Sequence, residues 1–425
     1  MSLSMPQRRR LTLEAMTPSG ECITHDDGMV VFVAGGLPGE TVEVEIVHRR
    51  RHFVRAHVAR VLTPSPDRVT PRCPYFGTCG GCTWQHIDYA KQLIFKRDIV
   101  HEQLQRIGRF AEPAVRDCIP SPTPYGYRNR IQLVPDSQGQ LGFRARGSHA
   151  VVAIDACAIA HDRLNAAIAS ASALVSSWAI LGGTTFMTTK TSVDLRVAGD
   201  EVHILPPESD TPAAENQAEV AAMYIQVGPI RYRVTGQAFF QVNSGVAELL
   251  VREVLHAARV QPGEHVLDLY SGVGLFTVPL ALTGADVIGI EASRSSVMDG
   301  RYNTHAAGCD HNTRLIVADV RTGLKRPDVM SMSWDTVIAD PPRAGIEREA
   351  LMAIIDLHPR AVVYVSCDPA TLARDAGLLA AYGWVLHYAQ PLDMFPQTQH
   401  VETVALFVRS PARPARPEQR SQAKA

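Results

Sequence analysis

Cys367 stands in the run Ser366-Cys367-Asp368-Pro369, directly after the apolar stretch Ala361-Val-Val-Tyr-Val. A free cysteine is usually a small buried hydrophobe, but a polar corner at the end of a strand is a poor place to hide a thiol. The reactive form is the thiolate, and a thiol pKa of about 8.5 falls beside cations; Arg343 and Arg374 are the candidates. Glu402, in His400-Val-Glu402-Thr403 on a late strand-like segment, reads alone as a surface carboxylate and gains a role only if it lies near Cys367. A second group of cysteines, Cys73-x5-Cys79-x2-Cys82 with Cys157 further on, offers four thiolates. Four thiolates suit zinc or a [4Fe–4S] cluster. Zinc ribbons carry two C-x2-C pairs and only one is present, which favours iron–sulfur, with disulfides the third option. With four protein ligands no iron would stay open to bind a cofactor, so such a cluster is structural or RNA-positioning.

A glycine-containing loop follows the strand-like segment 266–269, with Asp268, Gly272 and Gly274 in the pattern Asp-x3-Gly-x-Gly. Glycines there let backbone approach a ligand at the carboxyl edge of a sheet. Glu291 ends the next strand, where a carboxylate grips ribose hydroxyls. Nicotinamide enzymes share this logic but use G-x-G-x-x-G; the loop here resembles the S-adenosylmethionine loop of class I methyltransferases. The third and fourth strands end in Asp319 and Asp340. Asp340 heads Asp-Pro-Pro-Arg343, whose two prolines remove two backbone donors and fix φ, holding the carboxylate rigidly at the sheet edge. Amino-group methyltransferases have an aromatic residue where this chain has Arg343.

These groups need a scaffold. The segments 266–269, 287–290, 315–318, 336–339 and 362–366 alternate with helical stretches, which predicts a doubly wound α/β domain over 239–409. Residues 11–62 alternate like strands, with runs at 29–34, 41–47 and 53–61 between glycines, and predict a small antiparallel barrel within 1–64. One edge of it carries His48, Arg49, Arg50, Arg51, His52, Arg55, His57 and Arg60 with no acid among them, either a solvated edge that blocks aggregation or a phosphate-facing surface. Residues 63–72 read as a linker, 88–108 as a helix on Leu93, Val100, Leu104 and Ile107 with Asp88 as N-cap and Gly108 as stop, and 65–238 as a central α+β segment holding the four cysteines. Residues 205–214 read as a mobile loop and 410–425 as a disordered tail.

Composition sets the limits. In 425 residues, 46% are hydrophobic and 20% charged, which excludes disorder as the main state. Lys and Arg number 42 against 43 Asp and Glu, a net charge of −1, which excludes a uniformly basic coat but leaves room for a local basic patch. No signal-like or membrane-spanning run stands out, so the chain is placed in the cytoplasm, where its 8 cysteines stay reduced.

Taken together, these motifs resemble the RNA uracil-5-methyltransferase family, and within it the ribosomal-RNA members with a TRAM domain and an iron–sulfur cluster. The resemblance runs from about residue 11 to 408. It rests on the basic-edged barrel, Cys73-x5-Cys79-x2-Cys82, Tyr127-Arg-Asn-Arg130, Leu141-Gly-Phe-Arg144 leading to Cys157, Phe239-Phe-Gln-Val-Asn243, Asp340-Pro-Pro-Arg343, Ser366-Cys-Asp-Pro369 and His400-Val-Glu-Thr403. It implies a Rossmann-like class I methyltransferase domain, an OB-like TRAM barrel and a central iron–sulfur domain, with the helix 88–108 packed on the catalytic domain. By the same resemblance Cys73, Cys79, Cys82 and Cys157 hold a [4Fe–4S] cluster, and Gln241, Tyr270, Glu291, Asp319 and Asp340 bind S-adenosylmethionine. Cys367 is then the nucleophile, Glu402 the base, the substrate an RNA (ribosomal over transfer RNA), and the chain a monomer. At Leu275 relatives can carry Asn, so a cofactor contact from that side chain is not carried over. The chemistry is consistent: uracil C5 is a weak nucleophile until a thiolate adds to C6, and a carboxylate then removes the C5 proton. Two rival readings remain, an amino-group methyltransferase acting through Asp340-Pro-Pro-Arg343 and a non-catalytic RNA-binding factor.

Overall fold

A computed structural model describes residues 8–182, 192–205, 222–236 and 238–409, with the side chains of 176–182 excepted. The tail 410–425 and most of the loop 205–214 lie outside the described residues. Six strands open the chain: β1 (Arg8–Thr12), β2 (Ala15–Met16), β3 (Cys22–Asp26), β4 (Met29–Ala34), β5 (Thr41–Arg49) and β6 (Phe53–Thr63), in the order β1-β5-β6-β4-β3-β2. The two edge strands are consecutive in sequence, so the sheet curls around Leu13, Val33, Val42 and Val44. The expectation of a purely antiparallel barrel is corrected in one place. β4 pairs with β6 in parallel, because the long strand β5 crosses over to lie between β1 and β6.

Helix α1 (Tyr89–Arg106) starts at Asp88, whose carboxylate accepts the Ala90 N–H at 3.0 Å. Its buried face keeps Val100 and Leu104 of the apolar spacing but is turned to take in polar residues as well. Gln92, Lys96 and Gln103 are buried beside Phe95, Ile99, Val100 and Leu104, while Ile107 is 43% exposed. Gln92 and Lys96 go inside because each meets a polar partner there, described below.

A central antiparallel sheet follows, built from β7 (Arg130–Pro135), β8 (Leu141–Arg144), β9 (Val151–Ala153), β10 (Val193–Ala198) and β11 (Glu201–Leu205), with the order β11-β10-β7-β8-β9. Helix α2 (Asp162–Gly182) covers it through Leu164, Ile168, Ala171 and Val175. From sequence no particular helix is expected in this part of the central α+β segment; the 4-, 3- and 4-residue spacing of those apolar residues was the signal. The hairpin β12 (Ala222–Val227) and β13 (Ile230–Thr235) buries Met223, Tyr232 and Val234 against the next domain's core, although 65–238 grouped it with the central segment.

The last sheet has seven strands: β14 (His265–Leu269), β15 (Asp286–Glu291), β16 (Thr313–Val317), β17 (Thr336–Ala339), β18 (Ala361–Ser366), β19 (Trp384–Leu392) and β20 (Glu402–Arg409), ordered β16-β15-β14-β17-β18-β20-β19. Six run in the same sense, and β20 alone is reversed, lying antiparallel between β18 and β19. Helices on both faces explain why β18 is an unbroken buried run. The helices are α3 (Ser244–Ala258), α4 (Thr277–Ala281), α5 (Arg294–Ala306), α6 (Val320–Leu324), α7 (Pro327–Met330), α8 (Arg348–Asp356) and α9 (Pro369–Ala381), and α1 lies against α9. Among the described residues, no helix is long and apolar enough to cross a membrane.

Candidate active site

The strand order reverses between β14 and β17, and the loops after those strands open a crevice at the carboxyl edge. Tyr270 enters it in the left-handed region (φ 62°), followed by Gly272 (φ 54°) and Gly274 (φ 92°). The Tyr270 N–H is held by the Ile290 carbonyl at 2.9 Å, which accounts for so bulky a residue being kept in a strained conformation. Glu291 ends β15 and accepts from the Gly272 N–H at 3.0 Å and the Ser293 N–H at 2.7 Å. Tyr270, Glu291 and Asp319 line one cavity together with Glu347 and Ala350. Asp319 also caps α6, accepting from Thr322 N–H and Oγ1 at 3.0 and 2.6 Å, and that bonding holds its carboxyl below the usual range. Gln241 is buried beside the start of α3, its carbonyl taking the Asn129 amide at 3.1 Å.

Asp268 is fully buried on β14. Burial pushes it up to about 7 against the opposing pull of the Thr277 hydroxyl at 2.5 Å, and its Oδ1 has no partner. Asp340 follows β17, its N–H reaching the Leu269 carbonyl at 3.3 Å, and burial of its carboxyl raises it to about 7 although the residue as a whole is half-buried.

The register of β18 and β20 decides the rest. Ser366 pairs with Thr403, so one step further Cys367 comes opposite Glu402 at the same edge. Glu402 is 3% exposed and is raised well above the usual carboxylate range, first by burial and then by the Asp340 carboxylate, with Arg343 opposing. Cys367 is pushed up to about 11 by burial and by Glu402, and the hydrogen-bonding guanidinium of Arg343 pulls it down. Of the two expected cations, Arg343 is therefore the one at the thiol. Arg374 turns away to Asp375 at 2.8 Å and the Ala344 carbonyl at 2.9 Å. In this ground state burial outweighs Arg343, so the thiol is protonated at neutral pH.

Three comparisons bear on this arrangement. The sequence model of the tRNA (uracil-5-)-methyltransferase family matches residues 214–410, and the TRAM domain model matches residues 7–59. A 23S rRNA (uracil(1939)-C(5))-methyltransferase of Alkalilimnicola ehrlichii is 34% identical over 95% of this chain and 98% of its own length. The chain belongs to the RNA uracil-5-methyltransferase family. An uncharacterized RNA methyltransferase of Nitratidesulfovibrio vulgaris is also 34% identical, over 93% and 95% of the two chains. The crystal structure of Pyrococcus abyssi tRNA (uracil-54, C5)-methyltransferase in complex with S-adenosyl-L-homocysteine covers 94% of this chain and 100% of its own, with a TM-score of 0.70 and 27% identity.

In this methyltransferase the four clustered cysteines lie well away in sequence from Cys367 but close to one another in space. Cys73, Cys79, Cys82 and Cys157 line a single cavity with Phe143, Ile154 and Arg128. Burial pushes the Cys82 thiol up to about 12, and the neighbouring sulfurs of Cys157, Cys79 and Cys73 add to it. Among the described residues no three ligand-type side chains converge on a point that would hold a single metal ion.

Sequence reasoning missed the residues that hold this site in place. His400 is held neutral, down to about 4, by burial and by Arg343, Lys96 and Arg128. Lys96 is wholly buried and paired with Asp393. A lysine on the buried face of α1 was the available signal, since a buried ammonium demands a partner.

Proposed function

We propose that this methyltransferase uses S-adenosylmethionine to methylate C5 of a uridine in 23S rRNA, through a covalent adduct between Cys367 and C6 of the base. The observation that carries the reading is the register that sets Cys367 across from a buried Glu402, with Asp340 and Arg343 beside them. Cys367 gives up its proton to solvent water and the thiolate, stabilised by the guanidinium of Arg343, adds to C6. C5 gains carbanion character and takes the methyl group from the sulfonium. The carboxylate form of Glu402, which the nearby Arg343 favours against burial, takes the C5 proton, and expulsion of the thiolate from C6 restores the ring. Support for the ribosomal target comes from the similarity to relatives named for 23S rRNA. A carboxylate on the tight Gly272 turn suits ribose hydroxyls, so Glu291 and Tyr270 are assigned to the adenosine part of the cofactor, with Asp319 at the rim of the same cavity. Gln241 and Asp340 are assigned to the same cofactor.

The central cavity suits a [4Fe–4S] cluster better than a lone ion. A cube takes one thiolate at each iron, which fits four thiols spread around a cavity, whereas zinc needs four sulfurs at about 2.3 Å from one point. The cluster would neutralise four crowded thiolates and fasten the segments around residues 73–82 and 157.

The test is mapping of 5-methyluridine in all cellular RNA with and without the protein, joined to single-turnover methylation by Cys367→Ala. Loss of one 23S rRNA modification, and a variant that binds S-adenosylmethionine normally without methylating, are expected. Near-normal methylation by Cys367→Ala would rule out the covalent route; a lost modification in transfer RNA would replace the ribosomal target.

A further inference from the structure

The loop 393–401 joins β19 to Glu402 and is largely buried, so water cannot satisfy its backbone. Four consecutive carbonyls in it each take a donor from a different part of the chain. Met394 O accepts from Asn243 at 3.3 Å, Phe395 O from Lys96 at 3.1 Å, and Pro396 O from the Tyr127 hydroxyl at 3.1 Å. Gln397 O accepts the N–H groups of Thr83 and Trp84 at 3.1 and 3.0 Å, the two residues after Cys82. Gln397 itself is 2% exposed and sits at φ 70°, a conformation that costs about 1–3 kcal/mol for a residue with a side chain and persists only where the surroundings over-determine it. Its side chain and its backbone each bond the buried Gln92 of α1: Gln92 Nε2 donates to Gln397 Oε1, and the Gln397 backbone N–H donates to Gln92 Oε1, both at 3.0 Å. From there the path to the active edge is short. The Thr398 hydroxyl accepts the His400 N–H at 3.3 Å, and Glu402 begins β20 two residues later.

We infer that Gln397 is a positioning residue for the Glu402 carboxylate, and that through it the cysteine-bearing segment sets where that carboxylate lies. The inference rests on the reading of Glu402 as the base. It explains why a cluster domain with no part in the chemistry is tied to the catalytic edge: the segment that follows Cys82 is hydrogen-bonded directly to the loop that delivers the base. Because adduct formation and methyl transfer do not need the base but proton removal does, a displaced Glu402 slows only the last step.

The experiment uses the full chain as Gln397→Gly, Gln92→Leu and Glu402→Gln, with total RNA from cells lacking the protein and labelled S-adenosylmethionine. Glycine accepts the positive φ and removes only the amide; Gln92→Leu removes the partner from the other side. Both variants are expected to form the methylated covalent species at a rate within about twofold of wild type and to release it about ten- to a hundredfold more slowly, the loss that a misplacement near 1 Å produces. In Gln397→Gly the Thr83 and Trp84 amides should exchange with deuterium faster than in wild type. Release at the wild-type rate, or equal slowing of formation and release with loss of cofactor affinity, would overturn the inference. If Glu402→Gln also released product normally, the base assignment would fall with it; if Glu402→Gln stalled and Gln397→Gly did not, only the positioning role would fall.

Discussion

The carboxyl edge of the seven-stranded sheet and the N-terminal barrel both gather charged side chains, and they treat them in opposite ways. At the edge, Asp268, Asp340 and Glu402 are raised toward neutrality by burial, and one guanidinium, Arg343, serves Glu402 and the thiol. In the barrel the basic residues stay exposed, and the acids that face them stand at long range: Arg8 to Glu43 at 3.7 Å, Arg55 to Glu21 at 3.6 Å and Arg60 to Glu43 at 3.8 Å. Two of the edge arginines read from sequence as lacking a counter-charge thus have one across the sheet. The difference teaches where specificity and affinity come from. Buried groups interact strongly because little solvent screens them, so few of them, rigidly placed, can do chemistry. Exposed pairs contribute about 0–1 kcal/mol each and are screened by salt, so many are needed and none is decisive.

The largest expected effect is therefore at Glu402. Glu402→Gln should form the methylated adduct yet release product slower by about 10²–10⁴-fold, the usual worth of a general base. A protein–RNA species that resists denaturing electrophoresis would be the readout. Free product at the wild-type rate would break the contrast, because a buried carboxylate would then be ornamental.

Next comes a dependence on pH. Asp268 and Asp340 titrate near 7 in the folded chain, against about 4 when unfolded, and Glu402 is raised in the same sense. Between about pH 4 and pH 7 the folded state therefore binds more protons than the unfolded one, and stability falls as pH rises through that window. Urea midpoints at pH 5 and pH 8 should show it. Asp340→Asn, which cannot ionise, should flatten the dependence, and an unchanged slope would show that another group carries it. A cationic methyl donor should favour the ionised carboxylates, so affinity for S-adenosylmethionine should rise over the same interval, which calorimetry in two buffers would detect as released protons.

The contrast also explains what could be read in the sequence. The sheet was legible because parallel strands buried on both faces are continuous apolar runs, as at 361–366, and because Asp340-Pro-Pro and the glycine loop mark their ends. Cys367 was legible from its polar corner. What escaped was everything fixed by long-range pairing. The burial of Gln92 and Lys96 depends on partners some three hundred residues away, so nothing local in the sequence announced it. The same limit hid α2, whose alanines and serines carry too weak an apolar stripe to compete with neighbouring strand patterns. The parallel pairing of β4 with β6 had no local sign either, since alternation is the same for both senses.

The smallest effect belongs to the barrel, and its smallness is the point. Arg49 ends β5 and Arg50 and Arg51 follow in the exposed turn to β6, and among the described residues none of them is in an ion pair. If they meet RNA phosphates, each conversion to Gln removes one counterion-releasing contact, so the slope of log K against log salt should become shallower by about 0.7–0.9 per residue. The loss should be the same for specific and non-specific RNA, because phosphate contacts carry no sequence information. Folding stability should shift by no more than about 0.5 kcal/mol, as for ordinary surface positions. A triple variant with an unchanged salt slope would assign these arginines to guarding the sheet edge against aggregation, and RNA affinity would then have to come from the crevice itself.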